Sequence, residues 1–334
     1  MNPTLKDVAE KAGVSRSAVS RTFTKGASVS QRMRVKVEAA AIELGYSPNA
    51  LASSLTTGRT KLVGLIANNF QNPLFLEVFD LFTKRLQTEG LRPLLVNLSD
   101  ENKPAESVRM MRQYSVDGVV VASSTLSPDF AKAFRDGGLP VVHSFGRATA
   151  DPTVHTVGID NVDCGRMAAR ELLARGYKNI AFLGGPKTAT STQDRLAGFL
   201  CVVRSELDIS YSVSFASSYS YQSGYDEMHR VLNDNRAEAY FCGDDVIAVG
   251  ALSALRDHDL QVPSDVGLIG LNDMEMASWR NINLTTIRQP IEEIVESSVD
   301  LMVSMLNDPL RPPERRLFSC LVVERGTLKK RRNS

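Results

Sequence analysis

Cysteine, histidine and tryptophan are scarce in this chain, and their positions exclude several kinds of site. Its 334 residues include four cysteines, four histidines and one tryptophan. The cysteines lie far apart, without the Cys-x-x-Cys or Cys/His spacing of zinc sites and redox motifs. We therefore expect buried, reduced thiols, as in a cytoplasmic protein, and neither a metal nor any other cofactor. The four thiols are Cys164, Cys201, Cys242 and Cys320.

Long apolar runs and the signature motifs of common enzymes are missing as well. No run approaches the roughly 18 apolar residues of a membrane span, and the polar start lacks the apolar segment of a signal peptide. No P-loop, dinucleotide-binding glycine fingerprint or G-x-S-x-G elbow occurs, although residues 184–187 vaguely resemble a phosphate loop. The sequence favours a protein that has neither a membrane partner nor an enzymatic activity. An α/β enzyme and an exported binding protein remain alternatives.

Charge is distributed unevenly along a chain that is nearly neutral overall. The sequence has 39 Lys and Arg against 38 Asp and Glu. Residues 1–60 contain nine basic and four acidic side chains, which leaves the remainder mildly acidic. A basic head on an acidic body predicts that the head alone binds a polyanion.

The first residues have the pattern of two short helices joined by a tight turn. Thr4 and Asp7 have the spacing of a capping box, which predicts a helix from about Leu5. Gly13 can adopt the left-handed conformation that ends this helix. Ser15 can cap the next helix. The sequence therefore predicts a helix-turn-helix.

The second of these helices combines an apolar face with a basic one. Ala18 and Val19 are predicted to face inward, which leaves two arginines and two serines outside. Arginine pairs bidentately with guanine, so this helix suits the major groove of DNA. Two ordinary helices with a solvated basic face are the alternative. The outward residues are Arg16, Ser17, Ser20 and Arg21.

A third helix and a linker follow. The apolar side of the third helix is predicted to consist of Val35, Ala39, Ile42 and Leu44, which closes a bundle over residues 1–46. The next segment is compatible with a helix but has too few apolar positions to be stable alone. We therefore interpret it as a linker that orders only against a partner.

From Leu62 onward, apolar strand-like runs alternate with helical patterns. Such alternation indicates parallel sheets covered by helices. Two doubly wound subdomains fit better than a (β/α)8 barrel, which stays an alternative. A helix is predicted over 290–307, a last strand over Arg316–Glu324, and a solvated tail over Lys329–Arg332. The earlier runs are Leu62–Ala67, Pro93–Leu98, Gly118–Ala122, Val141–Phe145, Thr156–Ile159, Ile180–Gly184, Ala239–Cys242 and Gly267–Leu271.

Short motifs that match one family pattern occur along nearly the whole chain. In the head and linker they are Asp7–Ser15, Val19–Arg21, Leu44–Asn49 and Leu55. In the body they are Val63–Ile66, Asn72–Pro73, Val116–Val119, Gly158–Asp160, Arg195–Gly198, Phe241–Cys242, Leu268–Gly270 and Leu284–Gln289. With these motifs the chain resembles the lac repressor (LacI/GalR) family of transcription regulators. The resemblance implies an all-α helix-turn-helix head and an α/β core similar to periplasmic binding proteins, with two doubly wound parallel-sheet subdomains.

The resemblance also implies partners and domain boundaries. The partners would be double-stranded operator DNA, a second copy of the chain and a small-molecule effector. A dimer requires a pseudo-palindromic operator, and the lack of C-terminal leucine heptads argues against a coiled-coil tetramer. The implied domains are 1–46 for the helix-turn-helix, 47–60 for the hinge, 61–160 with 291–319 for one core subdomain, and 161–290 with 320–334 for the other.

By resemblance, the candidate DNA-binding residues divide into three roles. Base edges would be read by Arg16, Ser17 and Arg21. Leu55 would insert between base pairs of the minor groove and kink the duplex, unless it packs on the core. Phosphate and hinge contacts would come from Thr4, Ser15, Ser30, Arg34, Asn49 and Ala52.

The candidate effector residues follow from a general rule and from the resemblance. Ligands in open α/β sheets bind beyond the carboxyl ends of strands, where three carboxylate or amide side chains are predicted. Carboxylates, an arginine and aromatic rings suit a sugar, a polyol or a sugar acid. Asp160 could instead cap a helix. The full set is Phe75, Asp160, Ser191, Arg195, Tyr219, Asp244, Asn272 and Gln289.

Two of these positions depart from the family pattern. The family frequently has Asn where this chain has Asp244, and Asp where it has Asn272. We interpret the exchange as a shift of the negative charge across the cleft. Such a shift would suit a polyhydroxylated ligand that binds in an altered orientation or has an unusual pattern of hydrogen-bond donors. A nucleobase effector is the alternative, disfavoured because Leu74 before Phe75 leaves one aromatic ring there instead of a pair.

Overall fold

The computed structural model describes residues 3–24, 26–49, 54, 58–98, 103–234 and 236–331. It divides into two compact units, Met1–Thr60 and Lys61–Ser334. Ala52 and Leu55 lie outside the described residues. The hinge helix and the minor-groove wedge therefore stay predictions.

The first unit contains the predicted helix-turn-helix with the predicted caps. Its helices are α1 (Leu5–Ala12), α2 (Arg16–Thr22) and α3 (Gln31–Leu44). The Thr4 hydroxyl accepts from the Asp7 amide at 3.4 Å, and the Thr4 amide donates to the Asp7 carboxylate at 2.7 Å. Gly13 is left-handed with φ of 59°, and the Ser15 hydroxyl accepts from the Ala18 amide at 3.2 Å. Local sequence thus sets both helix starts.

The third helix buries a different face from the one predicted. Val37, Ala40 and Ala41 are buried against Val8 and Val19 of the first two helices, with Leu44 packed beside them. The buried positions have the i, i+3, i+4, i+7 spacing of one helix face. The prediction chose a second apolar stripe with similar spacing, and that stripe is solvent-facing here. Its exposed members are Val35, Ala39 and Ile42.

The second unit is built on two six-stranded sheets, as the strand-like runs predicted. We call the part on the first sheet lobe 1 and the part on the second sheet lobe 2. All neighbouring strands are parallel except β12, which is antiparallel to β10. In spatial order lobe 1 contains β11 (Arg315–Phe318), β5 (His155–Ile159), β4 (Val141–Ser144), β3 (Gly118–Ala122), β1 (Leu62–Ala67) and β2 (Arg92–Asn97). Lobe 2 contains β12 (Leu321–Val323), β10 (Thr286–Arg288), β9 (Gly267–Asn272), β8 (Ala239–Cys242), β6 (Asn179–Gly184) and β7 (Ser210–Phe215).

Helices connect the strands of each sheet and cover them. The chain passes between the lobes after β5, after β10 and between β11 and β12. None of the helices in the described part of the chain is long and apolar enough to cross a membrane. The residue-level subdomain boundaries stay a prediction. The helices are α4 (Leu74–Thr88), α5 (Pro104–Gln113), α6 (Pro128–Asp136), α7 (Asn161–Ala174), α8 (Thr190–Val203), α9 (Tyr221–Leu232), α10 (Asp245–Asp257) and α11 (Ile291–Asn307), with a 3-10 turn at Glu275–Ser278.

The prediction of a single strand over Arg316–Glu324 is wrong, because the segment forms two short strands that belong to different sheets. β11 ends at Phe318 and β12 begins at Leu321. The apolar character of the segment is continuous, so the sequence does not show where it changes sheet. Two strands went unpredicted: β7, which is serine-rich and half-exposed at a sheet edge, and β10, which has three residues.

The basic end of the chain is exposed at residues 329–331, as predicted, and it also contacts lobe 2. Arg175 has a fully buried side chain that pairs with Glu171 at 2.6 Å and donates to the Lys329 carbonyl. Arg331 pairs with Glu171 at 2.6 Å, and the Lys329 amide donates to the Tyr177 hydroxyl at 3.0 Å. Burial opposes ionisation of Glu171, yet hydrogen bonds from the two arginines lower its pKa overall. The tail is thus held by partners that lie far away in sequence.

The substitution Arg175→Ala is expected to destabilise the second unit by about 3–5 kcal/mol, because it removes a fully buried guanidinium and one of the two arginines that pair with the buried carboxylate of Glu171. Urea unfolding followed by the fluorescence of Trp279, the only tryptophan, measures this unit. Lys84→Ala is the control, since Lys84 pairs with Asp80 at the surface and such pairs contribute about 0–1 kcal/mol. Equal effects of the two substitutions would contradict the assignment.

Candidate functional site

The first unit presents the predicted basic surface on α2. Arg16, Ser17, Ser20 and Arg21 are all exposed, while Ala18 and Val19 are buried. The Arg21 Nε donates to the Ser17 carbonyl at 3.3 Å. This contact places one guanidinium along the exposed face of the helix. The arrangement presents arginine forks that can meet guanine edges in a major groove.

The candidate phosphate-binding residues also stabilise the head itself. Thr4, Ser15 and Ser30 are the N-cap residues of the three helices, and each accepts a hydrogen bond from an amide of its own helix. Arg34 is half-buried and donates to the Thr22 carbonyl at 2.9 Å. Asn49 is exposed. The phosphate contacts of these residues stay predictions, and substituting them would perturb the fold as well.

The second unit has a cleft between the lobes, at the carboxyl ends of the central strands. Lobe 1 contributes side chains from the loops after β1, β3 and β4 and from α4. Lobe 2 contributes side chains that follow β6, β7 and β8 and one from the end of β9, and Gln289 follows β10. The lining residues are Asn69, Asn72, Leu74, Phe75, Val78, Ser124, Phe145, Arg195, Tyr219, Asp244, Asn272 and Gln289.

Six of the eight predicted effector residues lie in this lining, and two lie outside it. Asp160 is exposed and its carboxylate accepts from the Asp163 amide at 3.0 Å, so it caps α7. Ser191 is buried behind the cleft, 3.0 Å from the Tyr219 hydroxyl. For both residues the predicted strand or helix end is correct, but the side chain does not line the cleft.

The sequence prediction missed the lining side chains of lobe 1 other than Phe75. Asn72 and Ser124 follow β1 and β3, so the rule of carboxyl strand ends could have found them. Phe145 follows β4 and has a φ of 64°, an uncommon backbone conformation for a large residue. With Phe75 and Tyr219 it brings three aromatic rings to the cleft. Leu74 and Phe75 still offer a single ring at that position, but the two further rings in the cleft remove the reason it gave to disfavour a nucleobase.

Asp244 is the centre of a buried hydrogen-bond network across the cleft. One carboxylate oxygen accepts from Asn72 at 3.0 Å and from Asn272 at 2.8 Å, and the other accepts from the Val246 amide at 2.9 Å. Gln289 donates to the Asn272 side chain at 2.7 Å. Asp244 and Asn272 are thus direct neighbours. The predicted exchange of Asp and Asn therefore places the negative charge on an adjacent, hydrogen-bonded residue 2.8 Å away. It does not move the charge to the other side of the cleft.

Arg195 reaches the cleft from α8 because two helices pack closely. A Cβ atom on Gly165 of α7 would lie 2.0 Å from the Arg195 carbonyl, and one on Gly198 would lie 1.8 Å from the Val162 carbonyl. With glycine at both positions, the Arg195 Nε donates to Asn161 at 2.8 Å and an Nη donates to the Gly243 carbonyl. Remaining N–H groups of this buried guanidinium can donate to a ligand.

Two adjacent carboxylates are buried at the start of α10. Burial raises the pKa of Asp244, opposed by its hydrogen bonds and by the charge of Arg195. Burial also raises the pKa of Asp245 to about 7, and the neighbouring charge of Asp244 adds to this. Asp245 accepts from the Thr286 hydroxyl at 2.6 Å and from the Met274 amide at 2.9 Å. It therefore ties α10 to the ends of β9 and β10.

Further contacts join the lobes outside the network of Asp244. Arg147 of lobe 1 makes a bidentate pair with Asp194 of lobe 2, at 2.7 and 2.8 Å. Thr190 and Ser191 donate to the Ser124 carbonyl at 3.1 and 3.2 Å. The cavity in the cleft has a volume of about 20 Å³, which is on the order of what one water molecule needs. A metabolite fits only if these interlobe contacts change.

Comparison with known proteins places the chain in a family. Residues 4–49 match the family described as bacterial regulatory proteins, lacI family, and residues 169–328 match a periplasmic binding protein-like domain. The chain is 32% identical to the ribose operon repressor of Escherichia coli (strain K12), over 97% of this chain and 99% of that protein. It is 34% identical to the HTH-type transcriptional repressor PurR of Escherichia coli O139:H28, over 93% and 92%.

Solved structures agree with these sequence relatives. The lac repressor dimer bound to operator and the anti-inducer ONPF superposes with a TM-score of 0.87 at 26% identity, over 99% of this chain and 100% of that one. The complex of the transcriptional regulator CelR with cellobiose has a TM-score of 0.72 at 27% identity, over 97% and 99%. The chain belongs to the lacI family of bacterial regulatory proteins.

Membership confirms the expected fold class and the general function. The chain is a DNA-binding transcriptional repressor with a helix-turn-helix head and a core like periplasmic binding proteins. Its relatives are transcriptional repressors rather than enzymes. Operator DNA and a small-molecule effector are the partners that this family membership supports.

The raised pKa of Asp245 predicts a pH dependence of stability. The folded state holds a proton on Asp245 that the unfolded state releases above about pH 4. The contribution of this group is therefore fully present below about pH 4 and is lost as the pH rises through about 7. Asp245→Asn should remove this contribution, so the wild type should lose stability relative to the variant between pH 5 and 8.

Unfolding by urea at several pH values, followed by Trp279 fluorescence, measures the difference. Asp234→Asn is the control, because Asp234 is exposed and its substitution should leave the wild-type pH profile unchanged. Parallel profiles for the wild type and Asp245→Asn would show that Asp245 does not titrate in this range.

Proposed function

We propose that the repressor binds a pseudo-palindromic operator as a homodimer and is controlled by a polyhydroxylated metabolite in the interlobe cleft. A sugar, a polyol or a sugar acid is the ligand class. A cytoplasmic location follows from the proposed DNA partner. The observation that carries the proposal is the buried carboxylate of Asp244, which joins the lobes through Asn72.

The exposed face of α2 supports the DNA-binding part of the proposal. Arg16 and Arg21 would read base edges with Ser17, while the caps Thr4, Ser15 and Ser30 would lie near phosphates. Contacts to phosphates position a protein on DNA, whereas contacts to base edges select the sequence. Leu55, Ala52 and Asn49 would complete the interface in the minor groove. The dimeric lac repressor–operator complex supports two heads per operator.

The geometry of the cleft suggests how a ligand would act. A hydroxyl group that donates to Asp244 would replace the amide of Asn72, and Arg195 could donate to an acceptor on the same ligand. Replacing Asn72 removes a bond between the lobes, so the ligand changes the relative stability of closed and open arrangements. A ligand shifts such an equilibrium only by its differential affinity for the two states. The network around Asp244 supplies that difference.

A hydroxyl-rich ligand matches the polar atoms of the cleft. Asp244, Asn272 and Gln289 offer both acceptors and donors, and the rings of Phe75, Phe145 and Tyr219 can cover C–H surfaces. The CelR complex with cellobiose supports a sugar on this scaffold. A nucleobase is the second candidate, because three aromatic rings line the cleft.

Arg16→Ala is expected to cost about 1–3 kcal/mol of discrimination at one position of each operator half-site. Selection of binding duplexes from a random library gives the operator, and gel shifts with matched and mutated duplexes measure discrimination. Arg109→Ala is the control, because Arg109 is an exposed arginine of the second unit. Full base discrimination in the Arg16 variant would remove this residue from the readout.

A thermal-shift screen should find that a hydroxylated ligand raises the unfolding midpoint, because a ligand that binds the native state stabilises it. The panel contains D-ribose, cellobiose, polyols, sugar acids, adenine and guanine. Asp244→Asn should lower the affinity for the ligand found by about 10–100-fold, since hydrogen bonds to charged groups contribute about 1.5–3 kcal/mol.

Asp234→Asn changes the same charge on the surface of lobe 2 and should bind the ligand as the wild type does. Stabilisation by nucleobases alone would replace the proposed ligand class. Unchanged affinity in Asp244→Asn would show that the ligand does not use the network of Asp244.

A further inference from the structure

Two thiols meet where the chain passes between the lobes. The Cys164 Sγ donates to the Cys320 Sγ at 3.5 Å, although the residues are 156 positions apart. Cys164 lies in the first turns of α7, which begins just after β5. Cys320 lies between β11 of lobe 1 and β12 of lobe 2. The pair therefore joins two of the connections between the lobes.

The four cysteines are not equally buried, contrary to the sequence prediction. Cys164 and Cys242 are buried, Cys320 is half-buried and Cys201 is exposed. Cys320 is thus the more exposed member of the pair. Cys242 differs from Cys320 because it is fully buried, and this burial raises the pKa of its thiol.

The surroundings of Cys320 lower the pKa of its thiol. The hydrogen bond from Cys164 lowers the pKa of Cys320 and the charge of Arg195 lowers it further, although burial opposes both. The pKa of Cys164 is raised by the same hydrogen bond and by burial. Cys320, which is the more exposed and has the lower pKa, is therefore the candidate nucleophile, and Cys164 is the candidate partner thiol 3.5 Å away.

We propose that Cys164 and Cys320 are an oxidisable dithiol, which a hydroperoxide converts into a disulfide between two interlobe connections. The Cys320 thiolate attacks one oxygen of hydrogen peroxide, an S–O bond forms as the O–O bond breaks, and hydroxide leaves, so that Cys320 becomes a sulfenic acid. The Cys164 sulfur then attacks that sulfur, its proton passes to the hydroxyl, and water leaves. The peroxide is reduced and the two thiols are oxidised by two electrons.

The disulfide requires a small movement with a defined location. An S–S bond is about 2.05 Å long, so the sulfurs must approach by about 1.5 Å. The movement falls on the first turns of α7, where Asn161 accepts from Arg195, and on the segment between β11 and β12. Oxidation therefore restrains two connections that must flex when the lobes move.

Treatment of the full chain with hydrogen peroxide, alkylation of remaining thiols and peptide mapping tests the proposal. We expect one cross-linked peptide pair containing Cys164 and Cys320, two hydrogens lighter than the reduced peptides and restored by dithiothreitol. Amide hydrogen exchange of the oxidised protein should be slower at residues 159–164 and 318–323. Unchanged exchange there would overturn the inferred restraint.

Matched serine variants separate this pair from other thiols. Cys201→Ser removes the exposed thiol and should leave the cross-link intact, whereas Cys164→Ser and Cys320→Ser should each abolish it. Circular dichroism verifies folding, and the half-buried Cys320 provides a variant that does not disturb α7. Alkylation of both thiols after peroxide, or a cross-link through Cys201 or only in urea, would overturn the proposal.

Discussion

The hydrogen bond between Asn72 and Asp244 is the contact on which the account of this repressor depends. It joins the two lobes through a buried carboxylate that also accepts from Asn272 and Val246. A buried carboxylate is costly unless its oxygens are bonded, so this group needs donors whatever the position of the lobes. Replacement of one donor by a ligand hydroxyl therefore couples binding to lobe movement.

The architecture brings these groups together from distant parts of the sequence. Parallel strands direct their carboxyl ends to one edge of each sheet, and the two edges face each other across the cleft. The glycines at 165 and 198 allow α7 and α8 to approach so that Arg195 reaches that edge. The same region contains the connections between the lobes, one of which carries Cys320. Ligand binding and oxidation would thus act on neighbouring elements.

Local signals in the sequence predicted much of the fold, and features that depend on distant partners were missed. The capping box at Thr4 and the turn at Gly13 need only nearby residues, so they could be predicted. The buried face of α3, the change of sheet near Cys320 and the partners of the C-terminal tail depend on packing elsewhere. In the cleft, strand ends and resemblance found Asp244 and Arg195. The same rule could have found Asn72, but its hydrogen bond to Asp244 joins residues 172 positions apart and depends on how the two lobes meet.

The most direct test of the account is the reciprocity between its two binding sites. Thermodynamic linkage requires that a ligand which changes operator affinity by some factor has its own affinity changed by operator DNA by the same factor. Titrations of operator at zero and saturating ligand, and of ligand with and without operator, measure both factors. We expect two equal factors that differ from one. Operator affinity that stays constant at saturating ligand would contradict it.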